Sequence, residues 1–288
     1  MVAHLPPSIK HLLTLRTPEA WPSPPVAALN RVFQRTRTDA QKRGADNGWL
    51  VLATCALMTI NRPAAVGHLY RFASLPNSSS QTQGDRNSGN VVSLAERIRL
   101  AALMREAALK SVIFVGVPRT ILSLTGLKDA LESEVYSELR QDSIRIATPD
   151  NVEATKERGM ALWNSIYEPH AVKLYNKLGA LHPDFITFII LAYGTILAPL
   201  PGPAPQQGNL TRALGSVVGI ATLRAEGRVG PQLTSHVFGL LKARNVEGKN
   251  EEDTWLSTDE GTEWVIRTVD EIVDGVTQAG VEEEKSKL

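Results

Sequence analysis

The sequence predicts an all-α protein, and three observations carry that reading. Apolar residues recur at helical spacing over long segments. Helix-start signals recur along the chain, as capping residues and prolines at first helical positions. Alternating strand patterns bounded by hairpin turns are scarce.

In chain order, Thr17-Pro18-Glu19 reads as an N-cap followed by proline at the first helical position, within a helical extension expected over 1–45. The run GWLVLATCALMTI, residues 48–60, predicts a buried helix. Asn61-Arg62 then leads into AAVGHLYRFA, which carries His68. The polar, low-complexity stretch from Pro76 to Asn90 reads as a mobile loop. Ser93-Leu94-Ala95-Glu96 has capping-box spacing. It opens a segment in which Leu94, Ile98, Ala101, Ala108 and Ile113 fall on helical positions. Gly116 and Pro118 break that segment, and Pro118 can start the next helix.

A softer joint lies at Ala147-Thr148-Pro149-Asp150. FITFIILAYGTILAPL, residues 185–200, is the most apolar run. It falls short of the ~20 residues a spanning helix needs, contains Gly194 and ends in prolines, so it predicts a core helix and no transmembrane segment. Residues 199–208, PLPGPAPQQG, predict a loop. Ser257-Thr258-Asp259-Glu260 is a second capping box.

A faint internal repeat runs through this order. The apolar helix before Asn61-Arg62 and the His68 segment match LTRALGSVVGIATLRAE, Gly227-Arg228 and PQLTSHVFGLL with His236. The expected organisation is therefore a first helical half over 46–148 and a related second half over 149–278. A flexible, charged tail follows over 279–288.

Composition narrows the function classes. Lysine plus arginine number 31 against 30 acidic residues, a net charge of +1. That balance argues against nucleic acid as the main partner. The single cysteine, Cys55, cannot form an internal disulfide or a dithiol pair, and its apolar neighbours predict a buried thiol. No metal constellation, P-loop or dinucleotide glycine motif occurs, so no cofactor is expected.

The amino terminus lacks the pattern of a secretory signal. Its Lys10 and Arg16, with no acid before Glu19, leave a mitochondrial address as the alternative. The sequence ends in Ser286-Lys287-Leu288, the tripeptide that the peroxisomal import receptor reads. The expected location is the peroxisome matrix, with that receptor as a partner.

From Gly159 to Gly275 the residues resemble the carboxymuconolactone decarboxylase-like domains, which share the AhpD-like helical fold. The resemblance rests on ordered segments: RGMALWNSIYEPH, HPDFITFIILAYGTIL, LTRALGSVVGIATLRAEG, and the Leu233-Thr-Ser-His236 turn. In the first half, MREAALKSVIFVGVPRTILSL is similar to the family's glutamate-bearing helix and Gly-x-Pro turn. The chain looks most like a fungal branch of peroxisomal or mitochondrial proteins. The resemblance implies an AhpD-like helical bundle and a homo-oligomer, a trimer or hexamer. It also implies His236 as the family histidine. One departure matters: Val229 and Gln232 stand where AhpD-type peroxidases carry their cysteine pair, so dithiol peroxidase chemistry is not expected.

The candidate chemistry follows. His236 and Glu106 are the candidate proton carriers. For His236 the alternative is a histidine bonding a neighbouring helix. For Glu106 it is a structural pair with Lys110 or Arg119. Arg212, in the first turn of an apolar helix, is the candidate anchor for a carboxylate, against a surface salt bridge. Tyr193 and His68 are candidate substrate contacts, against core packing of a satisfied hydroxyl for Tyr193. The two expected functions are a cofactor-independent lyase, isomerase or hydrolase of a small carboxylated or acyl substrate, and a non-catalytic oligomeric binding or scaffold protein.

Overall fold

The computed structural model describes residues 4–16, 23–75, 92–200 and 209–286. The expected cap at Thr17-Pro18-Glu19, the 76–90 loop, most of the 199–208 loop and Lys287-Leu288 lie outside the described residues. The class is all-α: every regular element among the described residues is helical. None of these helices is long and apolar enough to cross a membrane.

Two helices form the centre. α3 (Asp46–Thr59) buries every residue from Gly48 to Thr59. α10 (Arg212–Glu226) buries every residue from Ala213 to Leu223. Helices apolar on all sides need neighbours on all sides. α3 and α10 pack on each other, and both touch α5 (Leu94–Lys128) and α13 (Asp259–Ser286). The helices after the central pair, α4 (Pro63–Ala73) and α11 (Gly230–Lys242), begin with proline in the first two positions. His68 and His236 each stand five residues after that proline, at Pro63 and Pro231.

α2 (Val26–Lys42) lies within the segment expected as an extension, yet it packs on α3, α4 and α13. Its Leu29 and Phe33 are fully buried, and Trp49 on α3 donates from Nε1 to Thr36 Oγ1 at 2.9 Å. By contrast, α1 (Pro7–Thr14) has no buried residue.

α5 starts as expected, with Ser93 Oγ accepting from the Glu96 amide at 3.2 Å. At Gly116 the backbone turns to φ 80°, a conformation favouring glycine, two residues before Pro118. At α13 the cap is displaced by one residue from the expected Ser257. Thr258 Oγ1 accepts from the Gly261 amide at 3.0 Å, while Ser257 Oγ bonds back to the Asp253 carbonyl. The α13 backbone is helical through Ser286, across residues expected to be loose. Glu282 to Lys285 are good helix formers, which permits this extension.

A second, smaller core holds α7 (Val152–Tyr167), α8 (Ala171–Leu181), α9 (Pro183–Ala192) and one π-helical turn, Tyr193–Leu197. α6 (Ser133–Glu138) and an irregular segment lead into it from α5. α7 crosses the π turn at two glycines: a Cβ on Gly194 would lie 1.8 Å from the Thr155 carbonyl oxygen, and one on Gly159 would lie 2.0 Å from that of Ile190. No other residue fits that crossing. α12 (Glu251–Leu256) closes the approach to α13.

Candidate functional site

Arg212 and His236 meet at one small cavity between the two cores. Thr211 caps α10, accepting from the Leu214 amide at 3.1 Å and donating to Asp253 at 2.8 Å. This fixes Arg212 as the first helical residue. A cation at a helix N-terminus opposes the helix dipole, so its position needs other support. That support is neutral. Nε and Nη2 donate to Ser165 Oγ at 3.2 Å, Nη2 donates to the Gly239 carbonyl at 3.2 Å, and Nη1 donates to Ser216 Oγ. No carboxylate among the described residues pairs with this guanidinium. Burial pulls its pKa down to about 10, with Tyr193 opposing the shift. This almost buried cation is held only by hydroxyls and a carbonyl, with no carboxylate to offset its charge.

His236 sits on α11, which packs on α7 and α10, and is 3% exposed. Phe114 meets its ring edge-on at 5.1 Å between centroids. Nδ1 is buried without a hydrogen-bond partner. Burial, and secondarily the Arg212 charge, pull its pKa down to about 4, so the ring is neutral near pH 7. A cavity of about 10 Å³ lies between Arg212, Ser216, His236, Leu162, Ile166 and Leu197. This volume admits roughly one water molecule. The site therefore combines a buried cation, a neutral imidazole whose Nδ1 lacks a hydrogen-bond partner, and an apolar wall.

The other candidates lie elsewhere. Tyr193 starts the π turn, is buried, and shares a hydrogen bond between its hydroxyl and that of Tyr167 at 3.0 Å. Burial and Tyr167 hold its pKa well above the usual phenol value. It influences Arg212 electrostatically from the edge of the site.

Glu106 belongs to a buried ionic cluster. It pairs with Arg145 and stands 3.5 Å from Lys110 Nζ. Lys110, fully buried, donates to the carbonyls of Ile196, Leu197 and Ala198 at 2.8, 2.8 and 3.0 Å. Those are carbonyls at the end of the π turn that would otherwise lack partners. Burial lowers the Lys110 pKa to about 8, with Glu106 opposing. The cluster fixes the Leu197 wall of the cavity from behind, and Glu106 does not line the cavity. Arg119 pairs with Glu226 at 2.6 Å and takes no part.

His68 is half-buried beside α2. It bonds Asn30 Oδ1 through Nε2 at 2.7 Å and stacks on Phe33. Burial lowers its pKa, with Arg71 adding to the effect. It lies apart from the Arg212 cavity. Cys55 is buried, accepts from Ser111 Oγ at 3.3 Å, and has its pKa pushed up to about 12 by burial. No group of three metal-ligating side chains occurs among the described residues.

Sequence reasoning missed Ser165, Ser216 and Arg145. Ser216 was findable, four residues after Arg212 on the same helix. Ser165 and Arg145 come from distant segments and left no local signal.

Over 236 residues the chain is 24% identical to "Peroxisomal protein 2" of Saccharomyces cerevisiae, a stretch covering 68% of this chain and 81% of that protein. No protein-family model matches the chain, and no solved structure matches it.

Proposed function

We propose that this chain is an AhpD-like helical protein of the peroxisome that takes a small carboxylated or acyl ligand at Arg212, with His236 as proton carrier in cofactor-independent acid/base chemistry. The observation that carries the reading is Arg212. It is a largely buried guanidinium without a carboxylate, lining the same cavity as His236, whose Nδ1 is buried without a partner beside Gly219. A carboxylate there would complete the arginine's hydrogen bonds in a low-dielectric site. The neutral imidazole would hold or accept a proton at Nδ1. Entry requires the cavity to widen, since it admits only about one water.

The peroxisomal part rests on the similarity to the yeast protein and on the expected address at Ser286-Lys287-Leu288. Dithiol peroxidase chemistry stays outside this reading, because Cys55 is the only thiol.

The second reading is a non-catalytic, oligomeric binding or scaffold protein. It is favoured by the open apolar face of α9, where Phe185, Phe188 and Leu191 are exposed, and by the small size of the closed cavity. The test is ligand-induced thermal stabilisation by acetate and pyruvate, in the wild type and in His236→Ala. The acid/base reading expects binding to survive in His236→Ala while turnover of any ligand found to react is lost. Turnover unchanged in a folded His236→Ala protein would overturn the proton-carrier role.

A further inference from the structure

A second site lies outside the cavity, on the face formed by the end of α7, the start of α8 and one side of α11. It is a groove of about 380 Å³, within the size range of small-molecule sites. Its floor is apolar, built from Ile166, Tyr167, Leu174 and Phe238. Phe238 is 56% exposed. Its rim is cationic. Lys173 and Lys177 stand four residues apart on one face of α8, and Lys242 faces them from α11.

No ion pair is formed by Lys173 or Lys177 among the described residues. Lys242 is held by backbone: its Nζ donates to the carbonyls of Ile166 and Glu168, both at 2.6 Å. That leaves Lys173 and Lys177, one turn apart on α8, without an ion pair beside the exposed Phe238 ring. Glu168 is the single acid on the rim. The combination fits neither a wholly apolar ligand nor a purely ionic one.

We propose that this groove binds an amphipathic carboxylate, with a straight alkyl chain on the Phe238, Leu174 and Ile166 floor and its carboxylate at Lys173 and Lys177. Charge complementarity selects the head group, and the uncovered apolar floor selects the chain. The groove is a separate site from the Arg212 cavity, although Ile166 walls both.

The test is calorimetric titration of the full chain with hexanoate, octanoate and decanoate, and with 1-octanol as the uncharged control. The expected result is an affinity that rises roughly three- to fourfold per added methylene until the floor is covered. Lys173→Gln/Lys177→Gln weakens octanoate about tenfold and leaves octanol unchanged, and added salt reduces only the carboxylate's affinity. Phe238→Ser weakens both ligands. Arg212→Gln leaves octanoate binding intact, which separates this site from the buried cavity. Affinity independent of chain length would overturn the proposal. So would loss of octanoate binding in Arg212→Gln with no loss in the lysine variant. Binding to anionic phosphatidylglycerol vesicles without binding of free octanoate would also overturn it, in favour of a lipid surface.

Discussion

Gly219 leaves the space that the His236 imidazole occupies. A Cβ at position 219 would fall 2.5 Å from Nδ1 and 2.9 Å from Cγ of the ring. The absent side chain on α10 thus decides where the histidine of α11 can sit. The predicted effect of Gly219→Ala is a loss of about 1–3 kcal/mol from overpacking. In His236→Ala the clash is gone, so the two substitutions should be strongly non-additive in denaturant unfolding. Additive losses would show that the ring and the glycine are not in contact.

The pH dependence of stability follows from the same burial. His236 has a folded pKa of about 4 against 6.5 when free. Between these values the unfolded chain binds a proton that the folded chain does not. Its contribution is therefore fully present above pH 6.5 and is lost as pH falls through the window to 4, by about 3 kcal/mol at most. Urea unfolding at pH 7.0 and 4.5 should show this fall in the wild type and a smaller one in His236→Gln.

Lys110 makes a different prediction. Lys110→Met strands three carbonyls at the end of the π turn and takes one cation from Glu106. Breaking a buried ionic cluster on one side costs about 3–5 kcal/mol. The paired change Lys110→Met/Glu106→Gln should be no more stable than Lys110→Met alone, because it leaves the Arg145 guanidinium without its carboxylate. Chemical denaturation of the three proteins measures the difference.

The proposed address is tested by location. A fluorescent protein fused ahead of the full chain should collect in peroxisomes, and removal of Ser286-Lys287-Leu288 should leave it diffuse. An unchanged peroxisomal pattern would assign import to another segment or to a partner.

Much of the fold was legible because helices announce themselves locally. The Ser93 cap, the Gly116–Pro118 break and the uninterrupted apolar runs of α3 and α10 are short-range signals, and each appears where the residues place it. The α13 cap was missed by one residue because Ser257 and Thr258 are both capping types, and only tertiary packing chooses between them. Length and composition could not show that α2 belongs to the first core, since that depends on the partners of Leu29 and Phe33.

The site was legible in part for the same reason. His236 and Arg212 stand out as polar residues on apolar helices. Their meeting is a property of how α10, α11 and α7 cross. Glu106 was ambiguous because its spacing to Lys110 fits a structural pair as well as a catalytic acid, and its other partner, Arg145, is remote in sequence.

The central claim is that Arg212 holds a small anion in the cavity it shares with His236. Calorimetric titration of the wild-type chain and Arg212→Gln with acetate and pyruvate at pH 7 tests it most directly. The predicted result is saturable binding in the wild type that weakens tenfold or more in a folded Arg212→Gln protein. Equal binding in both proteins, or none in the wild type, would contradict it.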